Sequence, residues 1–280
     1  MSDIRALLHG ALKRLEGESA RLESELLLGH ALGRSRAWLH AHADLIPADD
    51  ARARFDALVD ARVRGRPIAY LTGRREFWSL SVDVTPDVLI PRPESERLVE
   101  LALERIAPDA ECTVADLGTG SGAIALAIAR ERPRARVIAT DVSAAALAVA
   151  RANAARLGVG NIAFAAGDWC AALGTARCDA IVSNPPYVRS GDVHLEQGDL
   201  RFEPRLALAA GGDGLDAIRS IVHAAPRHLD RTGWLLLEHG HDQGESVRAL
   251  LAGSGFAAVE TARDLAGSER VTTGRWRREE

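Results

Sequence analysis

Up to Val63 the apolar residues recur at helical spacing. Ile4, Leu7, Leu8, Ala11, Leu12 and Leu15 form one stripe, and Glu25, Leu26, Leu27, Leu28, Ala31 and Leu32 continue the pattern, with Gly33 placed to end that helix. Trp38 and Leu39 open a short further segment. Pro47-Ala48-Asp49-Asp50 reads as a turn and helix start, and Phe55, Leu58, Val59 and Val63 mark one face of that helix. Gly65-Arg66-Pro67 breaks this pattern, and partial alternation over 77–84 predicts a strand or hairpin. Pro91 and Pro93 stiffen the loop before a helix over 96–106, for which Ser95 is the expected N-cap. Beyond Cys112 the pattern becomes β-α-β-α. Strands are expected at 113–117, 136–140, 162–165, 179–183 and 233–238, and helices at 123–130, 144–157, 218–229 and 244–251. Two closing strands are expected near 257–261 and 270–276. Strands alternating with helices imply a parallel sheet.

Polar or glycine-rich groups stand at four successive strand ends: the turn Gly118-Thr119-Gly120-Ser121-Gly122, then Asp141, then Asp168-Trp169, then Asn184-Pro185-Pro186-Tyr187. Parallel strands bring all four to one edge, where open α/β sheets bind ligands. The two prolines cannot donate to a ladder, so the last strand stops at Asn184, and each stiffens the residue before it. The Asn184 amide and an unpaired proline carbonyl can grip a planar NH2 group, with the Tyr187 ring over its flat face. An ordinary Pro-Pro turn is the plain alternative. The glycines let backbone approach a ligand, and their G-x-G-x-G spacing is not that of dinucleotide folds. Asp141 follows at about the distance, roughly twenty residues, that ribose recognition requires. It could otherwise cap the next helix, although Ser143 is better placed for that. Asp168 can accept from an adenine amino group or from backbone amides, and Trp169 offers an apolar wall. A turn residue and a core aromatic are the alternatives for these two.

Composition narrows the classes. At 280 residues with 47% apolar content, the chain can fold as one large domain plus a small one. A formal charge of −4 argues against charge-driven nucleic-acid binding, which needs a basic face. Cys112, Cys170 and Cys178 include no C-x-x-C pair, and the nine histidines show no metal-binding spacing, so neither disulfides nor a metal site is expected. No signal-peptide h-region and no apolar run of membrane-spanning length are present, which predicts a reducing, cytoplasmic setting.

Asp116-Leu117-Gly118-Thr119-Gly120-Ser121-Gly122 resembles the first motif of class I S-adenosylmethionine-dependent methyltransferases. Asn-Pro-Pro-Tyr resembles the catalytic motif of the branch that methylates planar amide or amino nitrogens. Add Gly65-Arg66-Pro67, Tyr70-Leu71-Thr72-Gly73, Glu76-Phe77, Ile90-Pro91-Arg92-Pro93-Glu94, Phe202-Glu203-Pro204 and Glu238-His239-Gly240, and nearly the whole chain resembles the release-factor glutamine methyltransferases (PrmC/HemK). Ser95-Glu96 stands where that family usually has Thr-Glu, and His241-Asp242-Gln243-Gly244 where it has Gln-Gln-Gly. The resemblance implies a Rossmann-like domain over 93–280 with a mostly parallel seven-stranded sheet, a β-hairpin linker over 74–92, and an all-α substrate-docking domain over 1–73. It implies S-adenosyl-L-methionine as cofactor, held by Gly118, Thr119, Gly120, Ser121, Gly122, Asp141, Asp168, Trp169 and Asn184. It also implies a glutamine of the Gly-Gly-Gln loop of class-1 peptide chain release factors as substrate, bound by Asn184, Pro185, Pro186 and Tyr187, with Asn184, Pro185 and Tyr187 catalytic. Neither a membrane nor direct nucleic-acid binding is implied. An adenine-N6 methyltransferase of DNA or RNA would use the same proline lip. A dinucleotide oxidoreductase would share the glycine turn and Asp141, and a non-catalytic binding module would share the fold.

Overall fold

A computed structural model describes residues 2–277, and within it the chain divides into two compact units. The smaller comprises Met1–Arg74 with the distant stretch Glu196–Phe202, and the larger comprises Arg75–Leu195 and Glu203–Glu280. A division read along the chain does not foresee the return of 196–202 to the first unit. That stretch is tied there by Asp199, which accepts from Arg62, and by Arg201, which donates to the Arg64 carbonyl.

The smaller unit is built of α1 (Ile4–Leu12), α2 (Ala20–Leu32), α3 (Arg36–Ala41), α4 (Asp49–Val63) and α5 (Ile68–Thr72). Ile4, Leu27, Leu28, Leu39, Phe55 and Val59 form its core. Gly33 ends α2 in the left-handed conformation, as its position predicts. The sequence shows no titratable cluster here, yet folding makes one: buried Glu25 accepts from Arg21 on its own helix and from Arg36 on α3.

The larger unit opens with a hairpin, β1 (Arg74–Phe77) and β2 (Leu80–Asp83). Of the strand or hairpin expected here the chain forms the hairpin, turning at Trp78-Ser79, both left-handed, with φ of 51° and 55°. Helix α6 (Glu96–Arg105) leads to β3 (Thr113–Leu117), α7 (Ala123–Glu131), β4 (Arg136–Asp141), α8 (Ala144–Leu157), β5 (Ile162–Ala166) and β6 (Cys178–Ser183). Then come α9 (Asp216–Ala224), β7 (Leu229–Glu238), α10 (Gly244–Gly253), β8 (Ala257–Arg263) and β9 (Glu269–Arg275). Helix α9 ends earlier than the pattern suggests, because Pro226 lies in a 3-10 turn directly after it.

The sheet has seven strands in the order β5-β4-β3-β6-β7-β9-β8, parallel except for β9. Successive residues face opposite sides. Val114, Val137, Ala180 and Leu236 pack with α6 and α7, while Leu117, Ile138, Ile181 and Leu237 pack with α9 and α10. From β3 the chain runs outward to β4 and β5, then returns to place β6 on the other side of β3. The order therefore reverses between β3 and β6, and a crevice opens at their carboxyl ends. Pairing of Leu117 with both Thr140 and Ser183, and of Asp141 with Ala166, brings the four chemical strand ends level.

Candidate active site

The glycine turn after β3 is held by its neighbours. Thr119 N–H donates to the Thr140 carbonyl at 2.8 Å and Gly120 N–H to Asp141 Oδ2 at 2.9 Å. Asp141 Oδ1 accepts from Ser143 N–H at 2.8 Å, so the carboxylate spans the ends of two strands. Ser143, not Asp141, caps α8, its hydroxyl accepting from Ala146 N–H. Gly118 and Gly120 lie at φ 72° and 55°, where a side chain is strained. A Cβ on Gly118 would stand 3.0 Å from the Trp169 ring, whereas one on Gly120 would meet nothing within 4 Å. Beneath the turn, buried Asp116 accepts from the Thr119 hydroxyl at 2.6 Å, and burial pushes its carboxyl up to about 7.

Strand β6 stops at Ser183, as the following prolines require, and the Ser183 hydroxyl donates to the Leu117 carbonyl at 2.7 Å. Asn184 is half-buried, and its Nδ2 donates to Ser95 Oγ at 3.0 Å. The expected N-cap role of Ser95 is therefore not realised. Pro93–Ser95 form a 3-10 turn running straight into α6, Ser95 is itself helical, and no side-chain cap is made. Its hydroxyl is left for the lip. Among the described residues no hydrogen bond reaches the Pro185 carbonyl. The Tyr187 hydroxyl turns to Glu238 Oε1 at 3.4 Å, and burial holds that phenol well above its usual pKa.

A cavity of about 450 Å³ occupies the crevice. Gly118, Gly120, Asp141, Asp168, Trp169, Asn184 and Pro186 line it. Thr119, Ser121, Gly122, Pro185 and Tyr187 are not among its lining residues, and Thr119, Ser121 and Gly122 are buried behind the wall. Thr119, for example, is bonded to Asp116, and a Cβ on Gly122 would stand 3.1 Å from Ala150. The lining carries the carboxylates Asp87, Asp141, Asp168 and Asp216 and no Lys or Arg. Such a wall favours a cationic ligand and repels a phosphate-bearing one.

Residues 6–73 match the PrmC N-terminal domain and residues 97–202 the methyltransferase small domain. The chain is 56% identical over 270 residues to the release factor glutamine methyltransferase of Xylella fastidiosa strain Temecula1, covering 96% of this chain and 97% of the relative. It is 51% identical to the protein of that name from Pseudomonas aeruginosa, covering 93% and 94%. The chain belongs to the release factor glutamine methyltransferase family. In fold it is similar to a methyltransferase from Pyrococcus furiosus, with a TM-score of 0.54 at 17% identity over 71% of this chain and 90% of the other. No helix among the described residues is long and apolar enough to cross a membrane.

Three supports of this methyltransferase site were not legible beforehand. Buried Glu203 accepts from Ile90 N–H at 3.1 Å and from the Arg92 guanidinium, pinning the proline-rich loop. Gln243, whose part in the His241–Gly244 stretch the sequence left unassigned, is buried. Its Oε1 accepts from Gly240 N–H, and its Nε2 donates to the Tyr187 carbonyl at 3.0 Å, which braces the lip from behind. Asn153 on α8 donates to the carbonyls of Ser121 and Asp83 and accepts from Asp83 N–H, joining the glycine turn to the hairpin. Only for Asn153 does the sequence hold a signal, an amide set inside the Ala-rich run of α8.

Proposed function

We propose that this chain transfers the methyl group of S-adenosyl-L-methionine to the side-chain amide nitrogen of the glutamine in the Gly-Gly-Gln loop of class-1 peptide chain release factors. The observation that carries this reading is Asn184: its NH2 is taken up by Ser95 at the rim of a cavity walled by carboxylates, which leaves Oδ1 to accept. The cavity fits the cofactor, having apolar wall, acidic acceptors and no phosphate partner. Asp141 would accept from the ribose hydroxyls, Asp168 from the adenine amino group or from backbone amides that position it, and Trp169 would cover an apolar face. The turn Gly118–Gly122, with Thr119 and Ser121 bracing it, would carry the remainder. When bound, the cofactor supplies a methyl group on a cationic sulfur.

An amide nitrogen is a poor nucleophile because its lone pair is delocalised. In this reading Asn184 Oδ1 and the Pro185 carbonyl accept the two N–H bonds of the substrate amide, fix its plane and add negative potential where positive charge develops on nitrogen. Pro186 keeps the acceptors rigid, and Tyr187, held at its hydroxyl and carbonyl, packs behind the amide. No general base is required, since the nitrogen becomes far more acidic once alkylated and releases its proton to solvent. The helical unit would dock the release factor, placing the activity in the cytoplasm beside the translation machinery.

Incubation with labelled S-adenosyl-L-methionine and a purified release factor, followed by mass spectrometry, should place one added methyl on the Gly-Gly-Gln glutamine. Asn184→Ala should lower the single-turnover rate by about 10²–10³. An unchanged rate rejects the role of Asn184. Methyl transfer to DNA or RNA instead of the factor would favour the adenine-N6 reading.

A further inference from the structure

An asparagine side chain has two ends of nearly equal shape and opposite hydrogen-bonding sense. Which end faces the cavity decides whether Asn184 accepts from a substrate NH2 or repels it. Asn184 Nδ2 donates to Ser95 Oγ at 3.0 Å. A serine hydroxyl that accepts on this side must send its own proton elsewhere, and Ser95 is buried. Glu238, at the end of β7 and 0% exposed, lies close enough for the Ser95 hydroxyl to act on its carboxyl, although no hydrogen bond of ordinary geometry joins the two among the described residues. One oxygen of that carboxyl, Oε1, takes the Tyr187 hydroxyl at 3.4 Å. The Ser95 hydroxyl adjoins the same carboxyl and favours its ionised form. The other oxygen, Oε2, has no partner at hydrogen-bonding geometry among the described residues.

We propose that Glu238 and Ser95 are positioning residues that orient the Asn184 carboxamide, with the Glu238 carboxylate drawing the Ser95 proton so that Ser95 Oγ accepts from Asn184 and Oδ1 is presented to the substrate amide. The inference rests on the proposed function of Asn184. It also supplies a switch of hydrogen-bond polarity. A protonated Glu238 becomes a donor to Ser95, which then turns its own proton toward Asn184. The amide oxygen is drawn to that proton, and NH2 faces the substrate NH2. Burial pushes the Glu238 carboxyl up to about 7, the nearby Glu94 adds to this, and Arg270 together with the Ser95 and Tyr187 hydroxyls opposes it. His239, next in the chain, is engaged away from the site by Thr272 and the Gly240 carbonyl. The relay therefore changes sense as Glu238 titrates, at about 7.

The test is single-turnover methylation of a purified release factor by the full chain between pH 5.5 and 8.5, with calorimetric measurement of S-adenosyl-L-methionine affinity. The wild-type rate should rise with pH through about 7 and level off. Glu238→Gln, whose amide cannot titrate, should flatten that profile. Ser95→Ala should lower the rate about tenfold or more with cofactor affinity within about twofold of wild type, while Ser95→Thr, which keeps the hydroxyl, should retain most of the rate. A Ser95→Ala rate within twofold of wild type, or a Glu238→Gln profile that still rises with pH, overturns the proposal while leaving the methyltransferase reading intact. A wild type that methylates no release factor at all overturns both. Should Glu238→Gln fail to fold, the two Ser95 variants and the wild-type pH profile decide the matter.

Discussion

Gly120→Ala separates the cost of folding the glycine turn from the cost of filling its cavity. At φ 55° an alanine is strained by about 1–2 kcal/mol. The added methyl meets no protein atom within 4 Å, so no packing penalty joins that strain. In a unit of this size such a loss lowers Tm by roughly 2–8 °C. Because Gly120 lines the cavity, the methyl stands where the ligand is expected. Forcing a bound group off by one methyl costs about 1–3 kcal/mol, which is roughly a 5- to 150-fold rise in Kd for S-adenosyl-L-methionine. Gly118→Ala is the control. It carries similar backbone strain at φ 72°, but its Cβ also comes 3.0 Å from the Trp169 ring, so it should destabilise more than Gly120→Ala. Differential scanning calorimetry and isothermal titration of the two variants give both numbers. If Gly120→Ala melts as predicted yet binds the cofactor within twofold of wild type, the ligand does not lie across this turn.

Two further outcomes are expected from the buried polar groups. Asn153→Ala removes a fully buried amide that serves Asp83 twice and Ser121 once, at 2.8–3.0 Å, and should cost about 2–4 kcal/mol; a Tm within 2 °C of wild type would contradict this. Asp116 and Glu238 both have carboxyls raised to about 7 in the folded state, above the ordinary 3.8 and 4.5, so folding opposes their ionisation. Stability they contribute is full at low pH and declines as pH climbs from about 4 towards 7. Urea titrations should therefore show an unfolding free energy that falls over that window by roughly 2–4 kcal/mol per group, with a correspondingly lower midpoint. Asp116→Asn, which still accepts from Thr119, should lose its share of the slope, and an unaltered slope would refute the assignment.

The order of strands and helices was legible because burial on both faces leaves near-continuous apolar runs, and the chemistry was legible because it interrupts those runs at their ends. Gly118, Gly120, Asp141, Asp168, Trp169 and Asn184 could be named in advance for that reason, and parallel topology then brings them to one cavity. Ser95 was misjudged because a serine before a helix ordinarily caps it. Here Pro93–Ser95 form a 3-10 turn that leaves the hydroxyl free, and the proline loop before it is pinned by Glu203, over a hundred positions away. The Gln243 brace on the Tyr187 carbonyl, across 56 positions, is likewise made only by folding.

Periodicity and local stereochemistry were enough to set the succession of strands and helices, the parallel pairing it implies and which strand ends carry polar groups, whereas the strand order came with the fold. Only the tertiary structure decided which members of each motif line the cavity and which stand behind it. It alone showed that Asn184 is held by Ser95 beside a buried Glu238. The reason is physical: hydrogen-bond sense and burial are set by what folding brings from elsewhere, and a motif read along the chain carries neither.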